Sequence, residues 1–219
     1  MSERVVFLLD VDNTLLDNDR IIDELRQCLT RELGEARQRR YWAIFEECRA
    51  QLGYADYLGT LQRYRLEDPG DPHLVAIAEF LLNYPFAERL YPGALEVIRH
   101  LDAWGATVIL TDGDVVFQPL KLSRAGLLAA VKGRVLIYVH KEQSLADVAH
   151  RFPADHYVMV DDKVRLLDAM KQVWGDRLTT VFPRQGHYAN PAELAEYPPP
   201  DLTLERIADL LGYNPPPGC

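Results

Sequence analysis

Val5-Val6-Phe7-Leu8-Leu9-Asp10-Val11-Asp12-Asn13-Thr14-Leu15 is the stretch that decides the fold. Five apolar residues in succession read as a buried strand, and two carboxylates separated by one residue follow at its end. Side chains alternate along an extended strand end, so Asp10 and Asp12 point to the same side. Like charges that close repel, and either a proton or a cation must come between them. An EF-hand loop beginning at Asp10 is a competing reading. It fails because its sixth position would be Leu15 instead of glycine and its twelfth would be Ile21.

Outward from this strand the pattern turns helical. Asp17-Asn18-Asp19 offers capping side chains, and Ile22, Leu25, Leu29 and Leu33 follow at helical spacing up to Gly34. Tyr41, Phe45, Cys48 and Leu52 form a second stripe ending at Gly53. Asp56 is placed to cap a third helix with Leu58 and Leu61, and Asp71-Pro72 opens a fourth carrying Leu74, Ile77, Ala78 and Leu81. Residues 17–89 therefore read as wholly helical.

From Tyr91-Pro92-Gly93 onward strands and helices alternate. Strands are expected at Thr107–Leu110, Val135–Val139, Tyr157–Val160 and Leu178–Phe182, each preceded by a helical segment. This alternation predicts an α/β fold, a Rossmann-like parallel sheet covered on both faces. The first strand joins that sheet, so 1–16 and 90–219 make the α/β core and 17–89 an all-helical cap inserted over the strand ends. In such sheets ligands bind beyond the carboxyl ends of the strands. Asp10, Asp12, Thr111, Asp112, Asp161 and Asp162 all fall at that edge. Tyr197–Pro200 reads as a linker, and Pro215–Cys219 as a loose chain end.

Composition narrows the function. The chain has 219 residues, 48% of them hydrophobic, and a formal net charge of -9. That charge disfavours nucleic acid or an anionic membrane as partner. The local run Arg37, Arg39 and Arg40 reads as a solvated helix face. Three cysteines, Cys28, Cys48 and Cys219, lack CxxC spacing and argue for neither a disulfide framework nor a zinc site. No signal peptide or membrane-spanning run is visible, so a cytoplasmic location is expected. Asp10, Asp12, Asp161 and Asp162 form an all-oxygen donor set, which suits magnesium over zinc or copper.

These residues together resemble the motifs of the haloacid dehalogenase-like (HAD) hydrolase superfamily, most of whose members are magnesium-dependent phosphatases. Asp10-x-Asp12-x-Thr14-Leu15 after a hydrophobic strand resembles the first family motif, and Leu110-Thr111-Asp112-Gly113 the second. Lys141 stands where the third supplies its lysine, with Lys121 and Lys163 as competitors, and Val160-Asp161-Asp162 resembles the acidic fourth. The resemblance implies a phosphomonoester hydrolase working through an aspartyl-phosphate. Asp10 would be the nucleophile and Asp12 the acid and base, its carbonyl also a metal ligand. Thr111, Asp112, Gly113 and Lys141 would bind the phosphoryl group, and Mg2+ would be held among Asp10, Asp12, Asp161 and Asp162. Asp162 matches the family's metal acid best, while Asp161 stands where many members carry glycine.

Alternatives sort by single residues. Dehalogenases of the superfamily lack the second acid of the first motif, so Asp12 counts against them. A phosphonate-cleaving enzyme needs a cap lysine, and 17–89 contains none. A response-regulator receiver has the reverse order of acidic pair and phosphorylated aspartate. A phosphomutase or phosphotransferase on the same core, or a phosphate-binding protein without turnover, stays open. The expected ligand is a small phosphate ester. Arg49, Arg63, Arg65, Tyr54 and Tyr57 are the cap residues available to meet it, His140 and His187 read as structural or rim residues, and oligomeric state is left open.

Overall fold

The computed structural model describes residues 4–190 and 194–213. The tail Pro215–Cys219 lies outside the described residues. Among those described, six strands form one sheet: β1 (Val5–Leu9), β2 (Ala106–Asp112), β3 (Val135–Tyr138), β4 (His156–Val160), β5 (Leu178–Pro183) and β6 (Leu202–Leu204). Their spatial order is β3-β2-β1-β4-β5-β6, with every pair parallel. The N-terminal strand is therefore central, paired to β2 on one side (Leu9 opposite Ile109) and β4 on the other (Leu9 opposite Val160).

The period of two sorts the strand side chains between two apolar layers. Val5, Phe7 and Leu9 enter one layer with Ile109, Val158 and Val181. Val6 and Leu8 enter the other with Val108, Leu110 and Met159. Helices α5 (Ala94–Asp102), α6 (Phe117–Arg124) and α7 (Leu127–Ala130) cover the first face. Helices α8 (Leu145–Arg151) and α9 (Val164–Trp174) cover the second. This is the doubly covered parallel sheet that the alternation predicts.

Between β1 and α5 lie α1 (Asn18–Leu33), α2 (Glu35–Leu52), α3 (Tyr57–Tyr64) and α4 (Leu74–Asn83), with no strand among them. Asp17 caps α1 by accepting from the Arg20 amide, and Asp56 caps α3 by accepting from the Gly59 amide. The buried residues Leu25, Tyr41, Phe45, Tyr57 and Ile77 belong to the same apolar layer as the first face of the sheet. The two connections to the core lie side by side: the Asp17 amide donates to the Arg89 carbonyl at 2.8 Å and the Tyr91 amide to the Leu15 carbonyl at 2.9 Å.

The basic run is charge-matched within this block. Arg37 pairs with Asp68 and Asp71, Arg39 with Glu35, and Arg40 with Glu47 and Glu67. Cys28 and Cys48 are buried free thiols.

One expectation is corrected. Tyr197–Pro200 is not a free linker, because Tyr197 packs on the second apolar layer and Pro198–Pro200 border a shallow groove with Leu167 of α9. Asp201 then accepts from the Thr180 amide and hydroxyl at 2.8 and 2.9 Å, which seats β6 beside β5. A three-residue strand leaves too short an alternation to read from sequence.

Candidate active site

The carboxyl ends of β1, β2 and β4 converge on one volume. Past Leu9 the Asp10 amide still donates to the Val160 carbonyl at 2.9 Å, so Asp10 is fixed by the sheet ladder. The chain then turns sharply, with the Thr14, Leu15 and Leu16 amides all donating to the Val11 carbonyl. Asn13 takes the left-handed conformation at φ 61°, and its side-chain oxygen accepts from the Asn18 and Asp19 amides at the start of α1. The Thr14 hydroxyl accepts from the Asp162 amide at 3.0 Å, tying the turn after β1 to the loop after β4.

Asp10, Asp161 and Asp162 are all buried, and one oxygen of each lies within 4.8 Å of the other two. Lys141 is fully buried among them, its Nζ 2.5 Å from Asp10 Oδ1 and 2.6 Å from Asp161 Oδ2. Burial alone would lower the ammonium's pKa, but Asp10, Asp161 and Asp112 override it and hold Lys141 charged. Of the three candidate lysines, Lys141 is the one on Asp10. Lys121, from α6, lies instead on Asp12, with Nζ 2.7 and 2.9 Å from the two carboxylate oxygens. Lys163 is held charged by Asp10, Asp162 and Asp161 against its own burial, and stacks over the Tyr188 ring at 5.3 Å.

Asp10 and Asp12 thus do not share one cation through their side chains; each faces its own ammonium. The acidic cluster contains Asp10, Asp161 and Asp162, and the Asp12 carboxylate stands apart on Lys121. Lys141 and Lys163 together do not neutralise three carboxylates. Burial pushes Asp161 and Asp162 upward, and the neighbouring carboxylates push further. Both carboxylate oxygens of Asp162 and Oδ2 of Asp10 are buried with no hydrogen-bond partner, a costly state that a cation would relieve. An all-oxygen donor set with unpaired charge fits a hard divalent ion.

Thr111 and Asp112 close β2. The Thr111 hydroxyl accepts from Gln118 Nε2 at 2.9 Å and faces the Asp112 carbonyl at 3.3 Å. Asp112 Oδ1 accepts from the Lys141 amide at 2.8 Å, so this carboxylate anchors the loop that carries the lysine. Burial raises its pKa to about 6, partly opposed by Lys141. Gly113 donates to the Tyr138 carbonyl at 2.9 Å, and a Cβ on it would lie 3.1 Å from the Gln118 side chain. The glycine lets Gln118 lie this close without a tight contact.

A cavity of about 760 Å3 separates the helical block from the strand ends. Arg26, Trp42, Phe45, Arg49, Tyr54 and Tyr57 line it from the helical side, and Asp12, Asp112, Gly113, Gln118, Lys121 and Lys163 from the core. Asp10, Thr111, Lys141, Asp161 and Asp162 are buried and do not line it, although Asp12, Asp112, His140 and Lys163, one or two residues away in the chain, do. Of the cap residues expected to meet a ligand, Arg49, Tyr54 and Tyr57 reach the cavity, whereas Arg63 and Arg65 do not. His140 and His187 are on its wall, and His187 Nδ1 lies 2.7 Å from Asp19 Oδ1.

Sequence reasoning missed Gln118 and Arg26. Gln118 had a faint signal, since it falls one helical turn before Lys121 and shares its face. Arg26 had none, because a charged residue on an amphipathic helix ordinarily faces solvent.

The comparisons with known proteins agree with this architecture. No curated protein matches the chain. A crystal structure from Burkholderia xenovorans LB400, described as that of a haloacid dehalogenase-like hydrolase, is 60% identical, covers 97% of this chain and 99% of its own, and superposes with a TM-score of 0.91. The HAD-hydrolase YfnB from Bacillus subtilis, bound to magnesium, is 16% identical with a TM-score of 0.63, over 97% of this chain and 98% of its own. The L-2-haloacid dehalogenase from Xanthobacter autotrophicus is 20% identical with a TM-score of 0.59, over 97% and 98%. The last two share the fold. The family model for haloacid dehalogenase-like hydrolases matches residues 5–173, which contain all four strand-end motifs, and this chain belongs to that family of hydrolases.

Proposed function

We propose that the protein is a magnesium-dependent phosphatase acting on a small phosphomonoester, with Asp10 as nucleophile and Asp12 as acid and base. The observation that carries this reading is the division of labour between the two acids. Asp10 is buried and gripped by Lys141, whereas Asp12 lies at the cavity wall with its side chain 28% exposed. A nucleophile needs fixed geometry, and a proton carrier needs access to both leaving group and water.

Asp10 attacks phosphorus as the ester P–O bond breaks, and Asp12 delivers its proton to the departing oxygen. Water then attacks the aspartyl-phosphate, Asp12 takes up the proton, and inorganic phosphate leaves with Asp10 restored. Thr111 donates its hydroxyl to a phosphoryl oxygen, and Lys141 offsets negative charge beside Asp10. Asp10, Asp161, Asp162 and the Asp12 carbonyl would hold the magnesium ion, which supplies positive charge against the phosphoryl oxygens. Helices α1–α4 would serve as the cap, bounding the cavity beyond the strand ends in which a substrate would sit.

A dehalogenase has no leaving-group oxygen to protonate and so no use for the second acid. Phosphate release from a panel of aryl and alkyl phosphates, with and without magnesium, tests the reading, with chloride release from 2-chloropropionate as the counter-assay. Metal-dependent phosphate release is expected, and D10N should lower it by at least about a thousandfold. Chloride release without phosphate release would overturn the proposal.

A further inference from the structure

We infer that Gln118 is a positioning residue for Thr111, setting the direction in which the threonine hydroxyl donates; this rests on the phosphatase reading above. A hydroxyl has one proton and two lone pairs. One lone pair of Thr111 is occupied by the Gln118 amide, whose Nε2 donates to Oγ1 at 2.9 Å. The proton therefore points away from Gln118. Its other partner is the Asp112 carbonyl at 3.3 Å, well beyond the usual ~2.7–2.8 Å of an O–H···O bond. The donor is thus aimed but weakly engaged, and it transfers to a phosphoryl oxygen at little loss.

Both side chains are buried, Thr111 at 1% and Gln118 at 3% exposure, so water does not compete for this orientation. The approach of Gln118 is built into the local chain. It enters from the first turn of α6, and its Cβ and Cγ lie 3.1 Å from where a Cβ on Gly113 would sit, a tight contact that the glycine avoids. Thr111, Gly113 and Gln118 thus form one unit: hydroxyl, gap and the amide that reaches across the gap. One turn further along the same helix, Lys121 holds Asp12. A plain structural pairing would give Gln118 the same contacts but would make its loss felt in folding and not in turnover.

The test is a double-mutant cycle in the full chain with magnesium and an aryl phosphate, using Q118M, T111V and T111S. Met keeps the volume and removes the donor. Q118M should lower kcat about 3- to 30-fold in the wild-type and T111S backgrounds, with melting temperatures shifted by no more than a few degrees. On T111V, where no hydroxyl remains, Q118M should change kcat by less than about twofold. A loss of equal size on T111V, or none on wild type, overturns the inference. Affinity for tungstate as a phosphate mimic supplies a second readout, expected to fall in Q118M and not to fall further in Q118M/T111V than in T111V. A wild type without phosphate release refutes the phosphatase reading, while the tungstate cycle still decides the role of Gln118: a Q118M affinity equal to wild type overturns it.

Discussion

Asp112 illustrates how burial and function conflict at single residues. Its carboxyl accepts from the Lys141 amide, yet burial lifts its pKa from 3.8 to about 6. In that window the folded protein holds a proton that the unfolded chain has released. The stabilisation is complete below pH 3.8 and is lost as pH rises through about 6. D112N keeps an oxygen acceptor and never ionises. Thermal unfolding of the metal-free protein should therefore show the variant gaining on wild type between pH 4 and pH 7, and a difference independent of pH would refute this. The same scale shows what sequence can and cannot deliver. Asp10, Lys141 and Asp162 were legible because each closes or follows a strand in a known motif order. The split of the two lysines, Lys141 on Asp10 and Lys121 on Asp12, was not. It depends on where α6 lies against the turn after β1, a tertiary fact that spacing does not encode.

At the scale of elements, most helices were readable from their ends. Asp17 and Asp56 cap α1 and α3 as their positions suggest, and Gly53 stops α2 in the left-handed conformation at φ 82°. β6 was not readable, since three residues carry too little pattern. Neither was the seating of Tyr197–Pro200, whose prolines signal a turn whether or not they pack. Gly53 also lies against the core: a Cβ there would fall 2.9 Å from His140 Nε2. G53A should cost about 1–2 kcal/mol, chiefly from the left-handed backbone, because the imidazole can give way. For a chain of this size that is a fall in melting temperature of roughly 2–8 °C, read by calorimetry.

For the molecule as a whole, the buried acids Asp10, Asp161 and Asp162 at the strand ends are a cost to the fold that a bound cation would offset. An ion that binds only the folded state stabilises it by about 2.7 kcal/mol at a hundred times its dissociation constant. Magnesium should thus raise the melting temperature by roughly 5–10 °C. D162N should abolish most of that rise, and an unchanged wild-type curve under saturating magnesium would refute the site. The sheet order has a further consequence, in the timing of synthesis. β1 leaves the ribosome well before its two neighbours, β2 and β4, which lie about a hundred and a hundred and fifty residues later in the chain. Helices α1–α4 can pack through local contacts during that interval. The segment bearing Asp10 waits, apolar and unpaired, until β2 has emerged, and its other edge stays open until Val160 follows, so this early strand is among the last to be enclosed.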